Sequence, residues 1–268
     1  MARPTSIHHN VILHGTPTAM AMRLSLQIAP IFPPSCPGCP WVAALLLVAL
    51  VLPLSAAGRS VEGVVQGLQG TVDTALAPAF AEADLPYPPR RIALLGFKLE
   101  RRLELWAQGP FEDAWHYVKT YRVRAASGYP GPKLRQGDRQ VPEGLYQVTV
   151  LNPNSRFHLS MGLSYPNAFD KAMARRDGRT GLGGDIFIHG DQVSTGCLAL
   201  GDPAIEELFV LVHQVGLDAV EVLIAPQDLR WRPHPSMAVD APPWLPDLYR
   251  QLSQALERFP LPLQRLSR

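Results

Sequence analysis

Two residues eight positions apart carry the most pointed chemistry in this sequence. His189 lies in Ile188-His189-Gly190, and Cys197 ends Ser194-Thr195-Gly196-Cys197. A thiol attacks a carbonyl as its thiolate, and a neighbouring imidazole activates it for that purpose. Glycine beside the cysteine lets backbone N–H groups approach a developing oxyanion. A helix starting just after Cys197 would favour negative charge on sulfur. The competing reading is a buried, chemically silent pair, since free cysteine is among the most buried residue types. Gly190, Gly196 and Gly201 weigh against it, because a core segment has no need of three glycines. His189, Asp191 and Cys197 lack a recognisable ligand spacing, so neither a metal nor a cofactor is expected.

These residues need a scaffold, and the pattern predicts one dominated by strands. Strands are predicted at Ile92–Lys98, Arg102–Ala107, Tyr117–Ala126, Gly144–Leu151 and Arg156–Leu163. In the last, apolar Phe157, Leu159, Met161 and Leu163 alternate with polar residues, which puts His158 and Ser160 on one face. Asp185–His189 reads as a short buried strand that delivers the histidine. After the cysteine, Asp202 is the expected N-cap and Pro203 the first helical residue. Ile205, Leu208, Phe209, Val212 and Val215 form that helix's stripe, and Gly216 its stop. Ala219–Ile224 returns to strand, and Trp244–Phe259 predicts an amphipathic helix. Residues 60–81 have helical spacing, as either a stalk or a helix packed on the body. The expected fold class is mixed β-rich (α+β) with a few helices.

The other two cysteines, Cys36 and Cys39, precede an apolar run from Trp41 to Leu52. A span needs about 20 apolar residues, whereas a shorter core followed by small residues is the secretory pattern. Residues 1–57 are therefore expected to be a signal peptide, cut before Gly58, or an anchor formed by residues 41–57. Export follows from either, with membrane contact only through this segment. His8, His9, His14, Cys36 and Cys39 are then leader residues, not a metal or redox site. The exported body keeps one cysteine, Cys197. The chain has 25 basic and 23 acidic residues, and residues 1–57 hold only Arg3 and Arg23 of these. The body is thus neutral, which argues against a nucleic-acid partner. Residues 58–90 read as a helical linker, 91–225 as the catalytic body and 226–268 as a Pro-rich C-terminal segment.

The motif Ile186-Phe187-Ile188-His189-Gly190 with Ser194-Thr195-Gly196-Cys197 resembles the signature of L,D-transpeptidase (YkuD-type) catalytic domains. Gly131-Pro132-Lys133, Gly137-Asp138 and Pro142-Glu143-Gly144-Leu145-Tyr146 resemble that domain's entry strands. Asn152-Pro153-Asn154-Ser155, Phe157-His158-Leu159-Ser160, Tyr165-Pro166-Asn167 and Ile205-Glu206-Glu207 are similar to the YafK-like branch. So are Thr195, where most members have histidine, and the longer loop between His189 and Cys197. The resemblance spans about Arg91 to Ile224.

The resemblance implies a β-sandwich or barrel with Cys197 as nucleophile, His189 as base and the Gly190 carbonyl holding the imidazole. Gly196 and Cys197 would supply the oxyanion hole. The implied substrates are peptidoglycan stem peptides in a bacterial periplasm, attacked through a thioester. An amine acceptor gives cross-linking or protein attachment, and water gives hydrolysis. The branch includes enzymes that detach an envelope lipoprotein, which makes a hydrolase the alternative. A noncatalytic peptidoglycan-binding module is the rival from another class. His158, Tyr165, Asn167, Ser194 and Thr195 form the expected substrate-contact set. Lys133 and Arg135 are expected at the solvated surface, and His116, His213 and His234 carry no role.

Overall fold

Arg91–Phe97 (β1) and Arg102–Gln108 (β2) are buried along almost their whole length, the pattern of strands covered on both sides. The computed structural model describes residues 58–233 and 235–262. The expected leader, residues 1–57 with Cys36, Cys39 and their upstream histidines, and His234 lie outside the described residues. The two strands pair antiparallel, and β1 runs parallel to Val220–Ala225 (β9). His116–Arg122 (β3) extends this half beyond β2. On the other side of β9, Gly144–Asn152 (β5) passes the sheet on to Ser160–Leu163 (β6), Phe187–His189 (β7), Leu198–Ala199 (β8) and Ala125–Ala126 (β4). The result is one mixed nine-stranded sheet in the order β3-β2-β1-β9-β5-β6-β7-β8-β4. The β-rich expectation thus holds.

Alternation along β1 divides the core in two. Ile92 and Leu94 join a cluster with Val72, Leu76 and Phe80 of Val61–Glu82 (α1) and Ile205, Leu208 and Phe209 of Asp202–Val215 (α3). Helix α1 is therefore packed on the body and is not a stalk. Ala93, Leu95 and Phe97 join Trp106 and, from Leu245–Leu256 (α4), Leu248, Leu252 and Leu256. Each fully buried side chain of this size contributes about 1.5–3 kcal/mol. The Pro-rich C-terminal segment thus covers the second face of the sheet. A buried ion cluster fastens its start. Arg230 donates to Glu104 at 2.9 Å and Asp228 at 2.8 Å, and Arg102 pairs with both carboxylates.

Three local expectations change. The predicted strand Arg156–Leu163 begins only at Ser160. Ser155 Oγ accepts the Phe157 N–H at 3.1 Å, and His158 takes a left-handed φ of 70°, so the chain turns there. His158 and Ser160 therefore do not share a strand face. The N-cap of α3 is Gly201 at φ 85°, and no side chain caps it. The Asp202 carboxylate instead accepts the Asp191 N–H at 2.7 Å. A fourth helix, Ala168–Arg176 (α2), was not expected. Asn167 and Asp170 form a reciprocal capping box at its start.

Candidate active site

The β7–β8 pairing brings His189 and Cys197 together. The strands are parallel, with Ile188 opposite Leu198 and His189 opposite Ala199. Ile188 and Leu198 point into the core, where both join the apolar cluster that includes α1 and α3. Side chains alternate along strands, so Phe187, His189 and Ala199 take the other face. Continued back by one residue, the register sets Cys197 opposite Phe187, on the face that carries His189.

The imidazole is fixed on two sides. His189 Nδ1 lies 2.6 Å from the Gly190 carbonyl oxygen, an arrangement in which Nδ1–H donates. That tautomer leaves Nε2 unprotonated, as a general base requires. The Phe157 ring stacks on the imidazole at 4.6 Å between centroids. Gly190 meets a packing demand. A Cβ there would lie 2.6 Å from Asp202 Oδ1 and 2.7 Å from the Phe157 carbonyl. The Phe157 loop is held in turn by the start of α1. Arg59 and Asn154 exchange two backbone-to-amide hydrogen bonds of 2.8 Å, and the Arg59 guanidinium donates to the His158 carbonyl at 2.9 Å.

Cys197 is half-buried, with Sγ 3.8 Å from the Asp185 carbonyl. Burial pushes its thiol above the ordinary value; the Phe187 N–H and the Lys133 ammonium pull the other way, and the Asp185 charge adds to the rise. Burial pushes His189 below the ordinary imidazole value, against the Gly190 hydrogen bond and the Asp191 charge. Both directions favour a neutral thiol and a neutral imidazole at rest. The arrangement suits a base that takes the thiol proton during attack, not a standing thiolate–imidazolium pair.

The remaining candidates separate. Ser194 Oγ donates to the Cys197 carbonyl at 2.7 Å, and the Gly196 N–H donates to Ser127 Oγ at 2.6 Å. Thr195 is exposed beside them. Tyr165 is 6% exposed, with its hydroxyl donating to the Leu182 carbonyl. Asn167 caps α2 and donates to the Leu145 carbonyl. The polar atoms of Tyr165 and Asn167 thus have partners within the fold. His158 lines a cleft of about 540 Å³ with Arg122, Arg124, Asp191 and Asp202, which includes neither His189 nor Cys197. Its Nε2 lies 2.7 Å from Glu206 Oε1. Lys133 is not solvated. Its ammonium is buried against Asp138 at 2.6 Å and the Arg135 carbonyl at 2.9 Å. Phe157 and Ser127 were missed by sequence reasoning. Phe157 looked like an ordinary strand residue, and Ser127 sits in no local motif. Among the described residues, no His, Cys, Asp and Glu group is placed to hold a metal ion.

Residues 100–222 match the family model for the YkuD L,D-transpeptidase catalytic domain. The chain is 36% identical over 135 residues to the Escherichia coli K12 protein named "Putative L,D-transpeptidase YafK", covering 48% of this chain and 52% of that one. It thus spans about half the length of that relative. Among solved structures, the helical cell shape determining protein Pgp2 of Campylobacter jejuni aligns at 22% identity. Its TM-score is 0.42, over 59% of this chain and 56% of that one. Mycobacterium tuberculosis L,D-transpeptidase 1 aligns at 12% identity and TM-score 0.29, over 50% and 61%. The resemblance read from the sequence is borne out by the family model and the curated relative.

Proposed function

Starting from its L,D-transpeptidase-type catalytic domain, we propose that this protein is an exported cysteine enzyme acting on peptidoglycan stem peptides through a thioester at Cys197. The observation that carries this reading is the β7–β8 register, which continued by one residue sets Cys197 on the face of His189, together with the Gly190 carbonyl that holds the imidazole at Nδ1. His189 Nε2 takes the thiol proton as Sγ attacks a carbonyl of the substrate's diaminopimelate residue. The Cys197 N–H receives the oxyanion; the Gly196 N–H, the other donor expected from the sequence, is engaged by Ser127 Oγ at 2.6 Å. Collapse forms the thioester, and the departing amine takes the proton from the imidazolium. An acceptor amine then attacks, with His189 removing its proton, and releases a cross-linked product and the thiol. Water in place of the amine gives hydrolysis. Export is supported by the apolar run of residues 41–52 and the small residues after it.

The test is incubation of the purified protein with muropeptides, with and without an amine acceptor. New cross-links establish transfer, and cleavage products alone establish the hydrolase. The Cys197→Ala variant should form neither. Product formation by that variant at the wild-type rate would overturn the proposal.

A further inference from the structure

Ser127 immediately follows β4, which pairs antiparallel with β8 through Ala125–Ala199 and Ala126–Leu198. Continued by one residue, that register sets Ser127 opposite Cys197. The contacts agree with this placement. Ser127 Oγ accepts the Gly196 N–H at 2.6 Å and lies 3.3 Å from Ser194 Oγ, and the Ser127 N–H donates to Ser194 Oγ at 3.2 Å. Ser194 Oγ donates to the Cys197 carbonyl at 2.7 Å.

The proton count gives this cluster a direction. A serine hydroxyl has one proton. That of Ser194 is engaged by the Cys197 carbonyl, so in the Ser127–Ser194 contact Ser127 donates. The chain runs from the Gly196 N–H to Ser127, then Ser194, then the Cys197 carbonyl. Hydrogen bonds aligned head to tail reinforce one another. This chain grips the Gly196–Cys197 dipeptide at both ends, its first N–H and its last C=O. Between them Gly196 holds a left-handed φ of 104°, which few side chains adopt and which orients the Cys197 amide.

We propose that Ser127 is a positioning residue for the nucleophile, holding the 194–197 loop in its attack-ready form through this directed hydroxyl chain. The inference rests on the reading of Cys197 as the nucleophile. Ser127 need not touch substrate; it sets the direction of Sγ and of the Cys197 N–H before substrate arrives.

The test compares full-length wild-type protein with Ser127→Ala, Ser127→Thr and Ser194→Ala. Four quantities are measured: Gly196 amide exchange by NMR, alkylation of Cys197 by iodoacetamide, and kcat and KM on a stem peptide. Loss of one such hydrogen bond predicts roughly tenfold faster Gly196 exchange in Ser127→Ala. Alkylation should change severalfold, and kcat should fall about tenfold with KM nearly constant. Ser127→Thr keeps the hydroxyl and should restore both exchange and kcat. Ser194→Ala breaks the next link and should reproduce the alkylation change, which keeps the idea testable if Ser127→Ala does not fold. Gly196 exchange and Cys197 alkylation at wild-type rates in the folded variants would overturn it. Wild-type protein inactive on stem peptides, with exchange and alkylation still responding to Ser127, would remove the functional reading and leave the positioning role standing.

Discussion

Replacing Gly190 by alanine should damage stability and catalysis together. The added Cβ would lie 2.7 Å from the Phe157 carbonyl oxygen and 2.6 Å from Asp202 Oδ1. Ordinary contact begins near 3.4 Å, so the two neighbours must retreat by about 0.7–0.8 Å. The Asp202 carboxylate can swing, at the expense of its bond to the Asp191 N–H. The Phe157 carbonyl is backbone, and moving it drags the ring that stacks on His189. Overpacking of this kind costs about 1–3 kcal/mol. For a domain of about 200 residues, each kcal/mol lowers Tm by about 2–4 °C. The expected fall is therefore about 2–12 °C. The strained peptide is also the one whose carbonyl holds the imidazole, at 2.6 Å. Misplacing a catalytic group by about 1 Å can cost 100-fold, so kcat/KM should fall roughly 10- to 100-fold. Thermal melts and stem-peptide turnover measure the two effects. Gly67→Ala is the control. It lies inside α1 with nothing within 4 Å of the added carbon, and should stabilise by about 0.5–1 kcal/mol. A Gly190→Ala protein with wild-type Tm and wild-type turnover would refute the packing argument.

Other outcomes follow from the buried charges and the site's protonation. Glu104→Ala leaves the buried Arg102 and Arg230 with only Asp228 of the two carboxylates they share, and should cost about 3–5 kcal/mol by urea denaturation; a loss below about 1 kcal/mol would contradict this. Burial pushes the Asp170 carboxyl up to about 6, against the Asn167 N–H and the Tyr146 hydroxyl. The folded state then binds more protons than the unfolded one between about pH 4 and 6, so stability falls as pH rises through that window. Discounted for partial exposure, the fall is about 1–2 kcal/mol. Asp170→Asn should abolish it, and a pH dependence unchanged in that variant would refute the assignment. Iodoacetamide alkylation of Cys197 should rise through a pKa above the ordinary thiol value, while turnover should persist below the ordinary imidazole pKa. A thiol titrating below its ordinary value would instead indicate a standing ion pair.

The elements with a clear apolar run or apolar periodicity were legible in the sequence. Strands β1, β2, β5 and β9 and helices α1, α3 and α4 fall within a few residues of where periodicity placed them. Periodicity failed where side-chain hydrogen bonds override it. Phe157, Leu159, Met161 and Leu163 alternate as a strand would, yet the Ser155 turn and the left-handed His158 stop the strand at Ser160. Helix α2 was hidden because it is polar and buries only Ala174, while Tyr165-Pro166-Asn167 imitates a turn. The Asn167–Asp170 spacing was its one local signal. At the site, the types and order of His189, Gly190, Gly196 and Cys197 pointed to the pair. Lys133 could not be placed from sequence, because the buried pairing with Asp138 depends on how the 131–140 loop folds. Ser127 lies seventy residues before Cys197, and only the β4–β8 pairing makes them neighbours.

The central claim is that a thioester forms on Cys197. Intact-mass spectrometry of rapidly quenched mixtures of protein and stem peptide tests it directly. The account predicts an acyl adduct that maps to Cys197, decays when amine acceptor or water is allowed to react, and is absent from Cys197→Ala. Steady stem-peptide turnover by Cys197→Ala, or an adduct mapped to another residue, would contradict it.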